Sequence, residues 1–403
     1  MTTFNQTEVY LVPRRLLWLS VCALAALYGT FSLGWMIYRV HLPAQMTQLG
    51  FSEQAVPLLL LVEALLTIAV EPWAGAISDH THRQQQSRWP LIFWGVVLSS
   101  LLFVVFSTQV SFIASTLITR WAIVLLLLAW AVAMSLFRSP ALALLRSFAP
   151  TEKLPQAASL LTLAFGLTAA ATPLASPLVL KLGLTLSFTL AAILILAAAL
   201  WLRSSLPAVP ASPASSPNLV LQPVRFGSLA RIFGLGFATM LAFRLAVETF
   251  PKLLKAQIPG IQPPLFVGLL LITLGLAALP IGKLALRQGN SRIMQLGVAV
   301  ATLFLLLMPF CQSAGLAVVN AIGLGLGFSA IWNGVLPAAL MQVSVDRAGL
   351  GVGMLFAGVA AAASLMLGLL SKPGVLSPAA AIGLGIVALV GIGLDRQYSP
   401  TAD

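Results

Sequence analysis

Glu71-Pro72-Trp73-Ala74-Gly75-Ala76-Ile77-Ser78-Asp79, continued by His80 to Pro90 (HTHRQQQSRWP), decides the reading of this chain. Its first residue is a carboxylate inside an apolar run that already holds a second one, Glu63. An ionisable group at membrane depth is expensive and is usually kept because it handles an ion or a substrate. Two turns beyond Glu71 the run closes on Gly75-x-x-x-Asp79, and the basic residues Arg83 and Arg88 follow. A buried acid above such a turn points to a solute pathway rather than a passive anchor.

Composition places that stretch in a membrane. Of 403 residues, 59% are hydrophobic and 8% charged, where a soluble domain carries about 25% charged residues. No soluble core absorbs this much apolar surface, so the sequence specifies an all-α integral membrane protein. Counting apolar runs of roughly 20 residues predicts twelve spans, near 16–38, 56–78, 90–108, 115–140, 157–180, 184–202, 229–250, 265–285, 293–311, 315–341, 349–370 and 376–394. The first is too long for a signal-peptide core and reads as a retained helix. Between the sixth and seventh, 203–228 carries Pro207, Pro210, Pro213, Pro217 and Pro223 among Ser and Ala, the composition of a flexible linker. The expected organisation is therefore a six-helix bundle over 1–202, a cytoplasmic linker over 203–228 and a second six-helix bundle over 229–403.

The net charge of +12 fits basic loops on the cytoplasmic side rather than nucleic-acid binding. With the N-terminus inside, the inner segments hold fourteen Lys and Arg, Arg14, Arg15, Arg83, Arg88, Arg146 and Lys153 among them. The outer loops hold five: Arg39, Lys181, Lys252, Lys255 and Lys372. That bias puts both termini in the cytoplasm. An internal repeat supports the two halves. Segment 138–160 lies without gaps over 332–354, aligning Leu142 with Leu336 and Glu152-Lys153 with Asp346-Arg347. The loops 75–88 and 282–292 also correspond, Gly75 with Gly282 and Arg88 with Arg292. Two parallel repeats related about the membrane normal are the plan of one large class of secondary transporters.

On these residues the chain resembles the major facilitator superfamily over nearly its whole length. Within it, Glu71-Pro72, Gly75, Asp79, Arg83, Arg88 and Pro90 fill the frame of the glycoside–pentoside–hexuronide cation symporters and the related sucrose transporters. Segment 138–150 is similar to the end of the fourth helix in that group. Three departures stand out: Gln86 replaces a loop glycine, Leu128 stands where many facilitators carry an arginine, and Arg138 stands where the sugar–cation symporters place an acid. The resemblance implies alternating access, a small polar solute such as a sugar or glycoside, and proton coupling. A bacterial inner membrane and a monomeric state are the matching expectations for location and assembly. The alternatives are an exporter of a drug or metabolite on the same fold, and a non-transporting homologue that aids assembly of a pigment or membrane complex.

Depth selects the candidate site residues. At 1.5 Å rise per residue, Glu71 lies about 12 Å above Asp79, and Arg138 about 15 Å above the inner end of its own span. A Glu71–Arg138 pair across neighbouring helices follows. Glu63, about 24 Å above the same end, has no evident partner and is a second proton-site candidate. Arg244 and Glu248 share one face at i,i+4, and Arg244 is placed toward a hydroxyl-rich or anionic solute. Trp35, Tyr38 and Asn333 are candidate solute contacts. Gly75, Asp79, Arg83 and Arg88 form an expected cytoplasmic gate, with Asp79 meeting a helix N-terminus or an arginine of the neighbouring bundle. Arg120 is expected to snorkel to the outer surface. His80 and His82 lack the further ligands a metal site needs. No Walker loop, catalytic triad, dinucleotide turn or cysteine cluster is present, so neither an enzyme nor a cofactor is expected.

Overall fold

The computed structural model describes residues 16–52, 54–109, 117–206, 226–370 and 374–394. Most of the expected linker, 207–225, lies outside the described residues. The apolar runs form twelve long helices: α1 Trp18–Gln48, α2 Ala55–Gln85, α3 Trp89–Gln109, α4 Leu117–Ala143, α5 Leu154–Leu182, α6 Leu184–Ser204, α7 Phe226–Gln257, α8 Pro263–Gln288, α9 Asn290–Leu307, α10 Ala314–Met341, α11 Ala348–Leu365 and α12 Pro378–Leu394. Among the described residues, eleven helical stretches are long and apolar enough to cross a membrane; the twelfth, α12, has 17 residues.

Several helices run well past their apolar cores. α1 continues ten residues beyond the expected end at 38, through Pro43, so Arg39 lies inside a helix and not in an outer loop. Polar residues extend a helix readily where neighbouring helices cover its end, and hydropathy alone does not see that.

Packing follows the repeat. In the first half α1 packs on α5 and α6, α2 on α4, and α3 on α4 and α6. In the second, α7 packs on α11 and α12, α8 on α10, and α9 on α10 and α12. The pattern is one six-helix bundle used twice. The joints agree as well: the 3₁₀ turn Thr151–Lys153 ahead of α5 has its counterpart in Val345–Arg347 ahead of α11. The bundles meet through α2 against α11 and α5 against α8, two contacts that the repeat interchanges. Without a hydrophobic drive inside lipid, such contacts rely on small residues that let backbones approach. A Cβ on Gly75 would overlap the Gly349 carbonyl, and one on Gly349 would stand 2.5 Å from the Gly75 carbonyl oxygen.

One joint carries strain. Gln86 ends α2 in the left-handed region at φ 53°, while the matching joint between α8 and α9 is turned by Gly289 at φ 90°. A side chain in that region costs roughly 1–2 kcal/mol that glycine does not. Gln86→Gly is expected to stabilise the protein by about 1 kcal/mol, read as a rise in Tm in detergent.

Candidate functional site

Glu71 is fully buried on α2 and is held by two consecutive residues of α4. The Arg138 guanidinium reaches one carboxylate oxygen, Nε at 2.7 Å and the terminal nitrogen at 2.6 Å. The Ser139 hydroxyl donates to the other oxygen. Pro72 follows Glu71 and Pro140 follows Ser139, each inside its helix. A helix-internal proline removes a backbone bond and bends the helix locally. Arg138 also lies over two aromatic rings, Phe31 of α1 at 5.2 Å and Phe356 of α11 at 4.1 Å from guanidinium carbon to centroid. The second ring belongs to the other bundle. The Glu71 backbone also abuts that bundle, since a Cβ on Gly353 would overlap its carbonyl. The depth argument thus brings the pair together, and the structure adds that it stands against the bundle interface.

Eight residues along α2, Asp79 joins the bundles directly. Its two oxygens accept from the backbone N–H groups of Gly349 and Leu350, both at 2.8 Å, at the start of α11. The Arg88 guanidinium donates to Asp79 at 2.5 Å, to Ser78 at 3.2 Å and to the Val345 carbonyl at 3.4 Å. An acid on free N–H groups at a helix start satisfies orphan donors and the positive end of the dipole. The repeat does not reproduce this lock. Position 286, matching Asp79, is Leu, and the residue matching Gly349 is Pro155, which has no N–H to offer. Glycine packing is repeated instead, with Gly282 against Ser159 of α5. Arg83 is exposed, whereas Asp79 and Arg88 are buried. Asp79→Asn keeps the shape but removes the charge from Arg88, and about 1–3 kcal/mol of stability should be lost, measured by thermal unfolding in detergent.

The remaining candidates separate. Tyr38 is fully buried and donates its hydroxyl to a Glu63 oxygen, so Glu63 has the partner that sequence spacing did not supply. Tyr38 and Trp35 both pack on Trp130, with centroids 4.8 Å apart in each case. Asn333 donates to the Ala278 carbonyl of α8 at 2.7 Å. By the repeat, Asn333 matches Ser139 and Ala278 matches Glu71, so the second half fills the ion-pair position with a neutral hydrogen bond. Arg244 and Glu248 face each other at 3.8 Å. The Arg120 guanidinium packs over the turn at Gly50. His80 is exposed and His82 half-buried, and no cluster of three metal-ligating side chains occurs among the described residues.

A narrow cavity opens between the bundles, lined from both halves by Tyr28, Thr162, Phe165, Trp332, Leu336 and Phe356 among others. Its wall is mostly apolar, and the Trp332 ring nitrogen has no hydrogen-bond partner. A smaller one shares Tyr28 and Leu142 and reaches Arg138. Trp332 is the repeat partner of Arg138, so the two fourth helices present an aromatic and a cation at matching places. Tyr28 and Trp332 were legible in sequence as candidate pocket aromatics; their direction depends on helix rotation.

A family model described as the Major Facilitator Superfamily matches residues 24–367. The chain belongs to the major facilitator superfamily. Solved structures of the superfamily share its fold. A bacterial homologue of the iron transporter ferroportin, in an outward-facing state with soaked iron, is 16% identical, with TM-score 0.70 over 93% of this chain and 97% of that one. The E. coli fucose:proton symporter FucP is 14% identical, with TM-score 0.66 over 96% and 100%. The human organic anion transporter MFSD10 is 15% identical, with TM-score 0.63 over 94% and 99%. No curated protein matches the sequence. At these identities the likeness is one of fold. Membership makes this facilitator an integral membrane transporter rather than an enzyme.

Proposed function

We propose that this facilitator is a proton-coupled secondary transporter that moves a small organic solute by alternating access. The carrying observation is the buried Glu71–Arg138–Ser139 cluster, whose arginine stacks on Phe356 of the opposite bundle. A proton on Glu71 cancels the charge that holds Arg138. The guanidinium is then free to leave Phe356, and the α4–α11 contact loosens. Protonation of one carboxylate thereby alters how the two bundles adhere, which is the coupling that transport requires. Residues 1–202 and 229–403 are the moving bundles, and 203–228 is the cytoplasmic tether. The Asp79 end faces the cytoplasm, in a bacterial inner membrane, and its lock to α11 is the gate. FucP, a sugar:proton symporter of the same fold, makes a sugar or glycoside the first solute class to test.

A second solute reading has its own observation. Tyr28, Thr162 and Trp332 bring the polar groups named in the cavity wall, few for a ring bearing several hydroxyls. The wall favours a solute with one large apolar face, whether imported or exported. Uptake into proteoliposomes tests both readings. Labelled sugars, glycosides and aromatic acids are offered with and without an inward proton gradient, alongside counterflow from preloaded vesicles. Gradient-driven accumulation of one class identifies the solute. Absence of both accumulation and counterflow for every class sinks the transport reading and favours a non-transporting assembly role.

A further inference from the structure

Arg39 lies in α1 nine residues before its end, about 14 Å deep by helical rise. It is nevertheless exposed, and its guanidinium lies over the Trp35 ring, 5.4 Å from guanidinium carbon to centroid. Arginines near helix ends reach the interface by snorkelling; this one is too far from either end. Across the gap between the bundles, Arg244 of α7 lies within electrostatic reach of Arg39. α1 and α7 are repeat partners, and the two arginines are 21 and 18 residues from the starts of their helices. Their depths therefore agree to about 5 Å. The acids nearby leave both guanidiniums incompletely matched. Glu63 spends one oxygen on Tyr38 and leaves the other without a hydrogen bond. Glu248 meets Arg244 at a long 3.8 Å.

Two cations at matching depth in opposite bundles and within electrostatic reach of each other, each with five donors in a fixed fork, suit one group above all: a planar or tetrahedral oxyanion that bridges them. The surroundings say what the oxyanion is attached to. Phe243 adjoins Arg244 and packs on Phe165 and Trp332, centroids 6.2 Å and 6.0 Å away, and both of those rings line the central cavity. We propose that Arg39 and Arg244 clamp the head group of the transported solute, an organic acid whose apolar ring lies on Trp332 and Phe165. The anion displaces Glu248 from Arg244, and the bridge draws α1 and α7 together. This inference rests on the transporter reading and deepens its second solute class.

Equilibrium binding to the purified protein in detergent tests it apart from transport. Benzoate, phenyl phosphate and uncharged benzyl alcohol are titrated by calorimetry into the natural protein, Arg39→Gln, Arg244→Gln and the charge-retaining Arg39→Lys. The expected result is binding of an oxyanion at least about ten-fold tighter than benzyl alcohol, lost by at least about ten-fold in each glutamine variant and partly kept in the lysine variant. The tighter of benzoate and phenyl phosphate identifies the head group. Should one glutamine variant fail to fold, the other decides. Equal binding of benzyl alcohol, undiminished binding in a folded glutamine variant, or no oxyanion binding to the natural protein overturns the clamp. Oxyanion binding without uptake in proteoliposomes overturns only the transport reading.

Discussion

Glu71→Gln is expected to abolish proton-driven accumulation while the protein still folds. Glutamine matches the carboxylate in volume and retains an oxygen for Arg138, and the Ser139 hydroxyl can turn to serve the amide nitrogen. What it cannot do is take up and release a proton. Solute equilibration by counterflow should survive, because it needs bundle movement but no net proton cycle. Accumulation undiminished in Glu71→Gln would remove Glu71 from the coupling step. Arg138→Met is the harsher change. It leaves the charge of a fully buried Glu71 without its partner, and breaking one side of a buried pair costs about 3–5 kcal/mol. The double variant Glu71→Leu/Arg138→Met should recover most of that loss, since an apolar replacement of a whole buried pair is often neutral. A double-mutant cycle on thermal stability measures the difference. Recovery would show that the pair is kept for coupling and not for stability.

Gly75→Val is the second large effect. The Gly75–Gly349 approach leaves no room for a Cβ, and the overlap is with backbone, which no side-chain rotation relieves. The variant must separate α2 from α11 at the Asp79 end. Separation also breaks the hydrogen bonds from Gly349 and Leu350 to Asp79. Transport should stop, with the protein held open at that end. Ala348 is almost fully buried beside this lock. Replaced by cysteine in a background without Cys22 and Cys311, it should react slowly with a membrane-impermeant maleimide in the natural frame and rapidly with Gly75→Val. Unchanged labelling would mean that the glycine contact does not hold the closed end.

The Glu71–Arg138 pair was legible because both residues sit at calculable heights on adjacent spans, and rise per residue is nearly constant in a helix. Asp79 was legible in kind, as an acid aimed at a helix start or an arginine, since the Gly-x-x-x-Asp turn and its basic tail are local. Height leaves azimuth open elsewhere. Tyr38 and Asn333 have the depth of solute contacts, yet one faces Glu63 and the other the Ala278 carbonyl. Arg39 escaped notice because the polarity after residue 38 reads as a loop, whereas α1 continues to Gln48. Its four-residue spacing from Trp35 was the signal for one helical face.

Sequence alone determined the membrane class, the twelve helices, the twofold repeat and the superfamily, because each rests on apolar length, on residue spacing or on local turn chemistry. These are properties of the chain before it packs. Tertiary structure decided which of the costly polar groups meet. Helix rotation and tilt are set by many weak contacts between small residues across the bundles. A rotation of a third of a turn exchanges one face for the next. That rotation sends Arg138 onto Phe356 of the other half and ties Asp79 to α11.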